Sequence, residues 1–273
     1  VLVLHVLIFV IGLAVGSFLS AFTYRWPKSI SILRGRSNCP KCKKKIVWYD
    51  NIPLLSFILL KGRCRRCSKK ISFRYPLIEL TTALSFSGIF YFSNHCPTAF
   101  KGTSLQGNVV CHWQDLLGPW VLPIFLLITS ILIAVFVIDL ENQLIPDELV
   151  FLALVVTFMS LLLSSSDKFY IFLLSGFSAS SFLLLINLLT LGRGMGLGDV
   201  KFALFVGIFL GWPQTVSWMF LSFIIGAFIG IVLIITKKTK FGKPIPFGPF
   251  LVASFFITLF WGDFLTAFFF PYF

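Results

Sequence analysis

Charge is scarce in this chain, and acid is the scarcer sign. Only 12% of its 273 residues are Asp, Glu, Lys or Arg, and the acids number 10. Soluble globular domains carry about 25% charged residues, so an ordinary water-soluble protein is excluded. No strand-turn-helix with a P-loop lysine is present, which removes that route to nucleotide phosphates. No nucleic-acid-binding fold signature accompanies the basic residues, which argues against a nucleic acid partner. The first apolar run, Val1 to about Tyr24, is long, punctuated by glycine and closed by no small-residue cleavage site. It reads as a membrane helix that stays in place rather than a removed signal.

What is there is hydrocarbon. Hydrophobic residues make up 58% of the chain and aromatics 17%. A helix crossing a bilayer needs ~20 mostly apolar residues. Eight runs qualify as candidates: Val1 to Tyr24, Pro76 to Phe92, Pro119 to Ile138, Leu149 to Leu163, Phe169 to Leu191, Val200 to Trp212, Val216 to Ile235 and Phe250 to Phe270. The expected fold is therefore an all-α polytopic membrane protein of about eight transmembrane helices. Its parts are a first helix (1–24), a polar insertion (25–75) and a membrane domain (76–273).

The insertion holds most of the positive charge. Between Arg25 and Arg74 stand 15 Lys or Arg against the single acid Asp50, a net +14, while the rest of the chain has 8 basic and 9 acidic groups, a net −1. Basic loops stay in the cytoplasm and attract anionic lipid headgroups. If all eight runs cross, the insertion, the loop near Asp139, the Gly192 to Asp199 loop and the lysine-rich "KKTKFGK" at Lys237 to Lys243 share that cytoplasmic side. The Ser93 to Gly118 loop faces outward. Its Cys96 and Cys111 either form a disulfide, remain reduced, or join His95 and His112 around a metal. His5, inside the first run, reads as a packing or interfacial residue.

Within the insertion, "CPKC" (Cys39 to Cys42) and "CRRC" (Cys64 to Cys67) form two C-x-x-C pairs. Each short turn can present two thiolates to one ion, and four thiolates close a tetrahedral zinc shell. Cys39, Cys42, Cys64 and Cys67 are thus candidate zinc ligands, with a redox dithiol pair and an iron-sulfur site as rivals. A closed shell leaves no position for substrate, so such a zinc is structural. In about fifty residues with little core, it would supply much of the folding free energy.

Two aspartates stand out at the ends of apolar runs. Asp199 follows "GRGMGLG" and precedes a fresh helix, so it reads either as a helix cap or as half of a carboxylate pair. Asp139, at the end of the third run, is the natural second half. Two close carboxylates cannot both ionise readily, so one keeps a proton while the other activates water. Of the nearby acids, Asp147 reads as the N-cap of the fourth helix.

Taken together, the motifs resemble those of the bacterial type IV prepilin peptidases, membrane aspartic proteases with a Gly-x-Gly-Asp motif. "GSFLSAFTYRWP" resembles the opening segment, "CPKC", "DNIPLLSFILLKGRCRRC" and "ISFRYPLIE" the cytoplasmic zinc-binding domain, "IDLENQLIPD" and "GLGDVKF" the two aspartate motifs, and "PIPFGPFL" the closing one. The chain departs from the pattern at Ser20, where Asn is usual, and in its longer Cys96 to Cys111 loop. The resemblance implies that Asp139 and Asp199 are the catalytic pair. It implies prepilin and pseudopilin substrates, cleavage at the cytoplasmic face of the bacterial inner membrane, and N-methylation of the new amino terminus with S-adenosylmethionine. The rival reading is a non-enzymatic assembly or transport component whose zinc domain docks a partner and whose aspartates cap helices.

Overall fold

The computed structural model describes residues 2–31, 39, 41–95, 109–164, 169–192, 194–237 and 245–270. Among them there is no β-strand, and Arg63 and Lys70 form an isolated antiparallel bridge. Ten α-helices follow in order: α1 (Leu2–Arg25), α2 (Leu55–Leu59), α3 (Arg74–Asn94), α4 (Val109–Leu117), α5 (Val121–Asn142), α6 (Asp147–Leu163), α7 (Phe169–Leu189), α8 (Leu197–Leu210), α9 (Gln214–Ile235) and α10 (Gly248–Phe269). The all-helical outcome is what hydrocarbon demands, because a helix satisfies its own backbone hydrogen bonds without water.

Among the described residues, five stretches are long and apolar enough to cross a membrane: Leu2–Lys28, Val109–Asn142, Phe169–Leu189, Gln214–Ile235 and Gly248–Phe269. Eight were expected, and the other three differ for physical reasons. Helix α3 has 21 residues but opens on Arg74 and carries Glu79. Helices α6 and α8 have 17 and 14 residues, about 25 and 21 Å of helix against a hydrocarbon core of about 30 Å. A helix the hydropathy pattern did not announce, α4, occupies the end of the expected outer loop. It buries Val109, Val110 and Trp113, an apolar stripe hidden among Cys, His, Gln and Asp.

The chain forms two compact units. One consists of Val1–Tyr91 with Phe125–Ala134, the other of Phe92–Ile124 with Val135–Phe273. In the first, α1 and α3 lie almost backbone to backbone. A β-carbon on Gly12 would stand 2.6 Å from the Ala83 Cα, and one on Gly16 would stand 2.7 Å from the Glu79 Cα. Small residues permit such approach where lipid offers no hydrophobic drive between helices. Arg74 ties the same two helices by donating to the Ser20 carbonyl at 3.0 Å and the Thr23 hydroxyl at 2.8 Å. The His5 ring meets Phe90 edge-on, with ring centroids 4.6 Å apart, as its packing role requires.

In the second unit α7 and α8 approach in the same manner, through Gly176 and Gly207. Around them Phe205, Phe209 and Phe255 form a buried aromatic cluster. Most polar groups in this core are paired with backbone or with one another, the buried Thr157 and Thr258 hydroxyls being exceptions among the described residues. The indole N–H of Trp113 donates to the Phe209 carbonyl at 3.0 Å and that of Trp218 to Leu251 at 2.9 Å. In α10, Asp263 accepts from the Gln214 amide at 3.2 Å.

Candidate active site and metal centre

Asp139 and Asp199 both belong to the second unit and both are buried, at 5% and 8% exposure. Asp139 lies in the last turn of α5. Its Oδ2 accepts the backbone N–H of Gly248 at 2.9 Å, so the carboxylate sits against the N-terminus of α10. Any side chain on Gly248 would collide there, since a β-carbon would come within 2.6 Å of the same oxygen. Asp199 lies in the first turn of α8, and its Oδ2 accepts the N–H of Gly196 at 3.1 Å. Each carboxylate is therefore held by one main-chain donor at the positive end of a helix, where anionic charge is favoured.

The capping reading of Asp199 is met in capping-box form, since as the third helical residue it accepts the amide of the N-cap residue Gly196. It does not exclude a chemical role. Both carboxylates are buried in the same compact unit, each at the start of a helix. The second oxygen of each makes no hydrogen bond among the described residues.

The loops around the pair are fastened locally. The Asn187 side-chain amide donates to the Met195 carbonyl and the Ser180 hydroxyl to that of Val200. Lys201 Nζ meets Asp147 Oδ2 at 2.7 Å, linking the first turns of α8 and α6. Asp147 is the first residue of α6, and Pro146 takes the N-cap expected of it. Sequence reasoning missed Gly248 as a partner of Asp139. Its signal was a Gly-Pro step opening an apolar run, which marks a helix start but not what the start faces.

The four insertion cysteines converge. Sulfurs of Cys39, Cys42, Cys64 and Cys67 lie within 4.8 Å of one another, and Cys39 and Cys67 are 3.9 Å apart. A tetrahedral zinc with ~2.3 Å arms to sulfur needs edges of about 3.8 Å, so the donor set fits. The two halves repeat one local structure. In the first, the Cys39 N–H donates to the Lys44 carbonyl and the Lys43 N–H to Cys39; in the second, Cys64 donates to Lys69 and Ser68 to Cys64. Lys43 and Ser68 take the same left-handed backbone, φ 56° and 54°.

This turn aims main-chain amides at the sulfurs. The Cys42 amide helps lower the Cys39 thiol to about 7. At Cys67 the Lys69 amide pulls down, yet burial and the three neighbouring sulfurs push the thiol up to about 11. Cys96 lies outside the described residues, and with it the expected Cys96 to Cys111 pairing and its Cys/His alternative. His112 stacks on Phe172, with centroids 5.7 Å apart.

Residues 10–93 match the family described as Bacterial Peptidase A24 N-terminal domain, and residues 126–231 match the Type IV leader peptidase family. Similar curated proteins include three named prepilin leader peptidase/N-methyltransferase. That of Stutzerimonas stutzeri is 32% identical over 94% of this chain and 91% of its own length. The Aeromonas hydrophila protein is 34% identical over 95% and 91%. The Bacillus subtilis (strain 168) protein is 33% identical over 96% of each. No solved structure matches. Identity above 30% across more than nine-tenths of both chains places this chain in the type IV leader peptidase family.

Proposed function

We propose that this protein is a membrane-embedded aspartic endopeptidase that removes the leader from prepilins and pseudopilins and N-methylates the new amino terminus. The observation that carries this reading is that Asp139 and Asp199 are both buried in one compact unit, each with its carboxylate anchored by one backbone amide. Asp139 and Asp199 hold a water between their remaining oxygens. The ionised aspartate takes a proton from that water as its oxygen attacks the scissile carbonyl, and the protonated one gives its proton to the departing amide nitrogen. The anchoring amides keep both carboxylates in place while this proton moves, and burial limits competing bulk water.

On this reading the pair faces the cytoplasm of the bacterial inner membrane, and α3, α6 and α8 complete eight crossings as short or tilted spans. Segment 25–75 is a cytoplasmic domain folded around one structural zinc held by Cys39, Cys42, Cys64 and Cys67. Methyl transfer draws on S-adenosylmethionine, whose site is not identified by any residue pattern in the chain. The names of the similar proteins support the paired activities. The test is a purified protein, a prepilin and S-adenosylmethionine in detergent. The expected product is shortened by its leader and carries one methyl group, and a prepilin left full-length by folded protein would contradict the proposal.

A further inference from the structure

The insertion carries an apolar ridge that its own fold leaves uncovered. Ile52, Leu55, Ile58 and Leu59 are all exposed, with Ile58 at 68% and Leu59 at 71%, and Trp48 just before them is 80% exposed. Positions 55, 58 and 59 follow the spacing of one helical face, and Ile52 precedes them in extended backbone. Phe57 turns the other way, its ring packing on Phe73 at 5.4 Å and against Gly62. The segment therefore spends one apolar side on its own fold and presents another to its surroundings.

Its height along the membrane helices is fixed by a hydrogen bond. Glu79, buried in α3, accepts the backbone N–H of Leu54 at 2.8 Å. Leu54 immediately precedes α2 and holds a positive φ of 55°, a conformation rare for a residue with a side chain. Glu79 is five residues into α3, about 7.5 Å along its axis. Arg74, at the start of α3, is bound to Ser20 and Thr23 near the end of α1. The start of α2 is thus tied alongside the Gly16 to Thr23 stretch of α1 rather than beyond the end of that helix. Lys61, Arg63, Arg66, Lys69 and Lys70 follow within eleven residues of Leu59. Arg65 is engaged with Asp50 at 2.7 Å.

We infer that Trp48 and the Ile52, Leu55, Ile58, Leu59 ridge form a membrane-interfacial foot, sunk into the headgroup and upper acyl region of the leaflet where α1 ends. The neighbouring lysines and arginines meet anionic lipid headgroups. An apolar face beside a cationic one, with a tryptophan at the boundary, is the pattern of a segment lying in the interface. The charge excess selects anionic lipid. The foot would hold the cysteine cluster at a fixed height above the bilayer. This inference needs α1 to be a membrane span, and it is independent of the peptidase reading.

The test uses the full chain in nanodiscs of phosphatidylglycerol and phosphatidylcholine. The fluorescence of Trp48 is isolated as the difference between wild type and Trp48→Phe, a mild change at an exposed site. Lipids brominated high on the acyl chain should quench that difference signal at least twofold more than aqueous iodide does. The double variant Ile58→Ser, Leu59→Ser should reduce the bromolipid quenching at least twofold, and so should replacing phosphatidylglycerol by phosphatidylcholine. Flotation of every variant with lipid checks that α1 still inserts. A Trp48 signal quenched by iodide and untouched by bromolipid, in protein that floats normally, would overturn the inference and leave the ridge to a soluble protein partner.

Discussion

The amide of Gly248 and the carboxylate of Asp139 meet at 2.9 Å, across 109 residues of sequence, and a β-carbon on Gly248 would stand 2.6 Å from the same carboxylate oxygen. Contact this close leaves no room for a side chain and makes the start of α10 part of the proposed active site.

Gly248→Ala should therefore displace Asp139 while leaving the helices folded. A shift on the order of 1 Å at a catalytic group can lower a rate about 100-fold. Cleavage of a prepilin by purified Gly248→Ala protein should fall by about that factor, with substrate binding changed much less. Wild-type turnover in that variant would show that Asp139 does not depend on this contact.

Metal analysis of the purified protein should find one zinc per chain, and none in the Cys39, Cys42, Cys64, Cys67 quadruple serine variant. Because a closed thiolate shell is structural, chelation should make segment 25–75 protease-sensitive and weaken cleavage indirectly. Equal zinc in wild type and variant would remove the assignment.

Gly16→Ala tests the packing of α1 on α3. The added carbon would meet the Glu79 Cα and the Ile78 carbonyl, at 2.7 and 3.1 Å, and backbone atoms cannot rotate aside. Overpacking of this kind destabilises by about 1–3 kcal/mol. Thermal unfolding of the detergent-solubilised variant should show a lowered midpoint. An unchanged midpoint would mean that the two helices separate without penalty.

The candidate residues were legible in the sequence because they are exceptions to their surroundings. Asp139 and Asp199 stand out among apolar neighbours, and four cysteines in two short repeats mark a cluster whose sulfurs converge. Spacing alone carried the cluster, since both turns use the same backbone bonds. The partners of those residues were harder to see. Gly248 has no side chain to mark its role, and its contact with Asp139 depends on tertiary approach rather than on local pattern. Glu79 lay in a quoted motif, but only the structure shows its carboxylate holding Leu54. Span counting was limited by α6 and α8, whose apolar runs are shorter than the bilayer. Helix α4 was missed because its buried stripe of Val109, Val110 and Trp113 is diluted by polar neighbours. A helical period applied to that loop would have found it.

The most direct measurement is the mass of a pilin amino terminus after co-expression of its prepilin with wild type, Asp139→Asn or Asp199→Asn. Asparagine keeps the shape of each side chain and can still accept the Gly248 or Gly196 amide, but it can neither take up nor release the catalytic proton. The account predicts mature, methylated pilin with wild type alone, and a full-length prepilin with either variant even though both insert normally. Mature pilin at wild-type levels from either variant would contradict the aspartate pair.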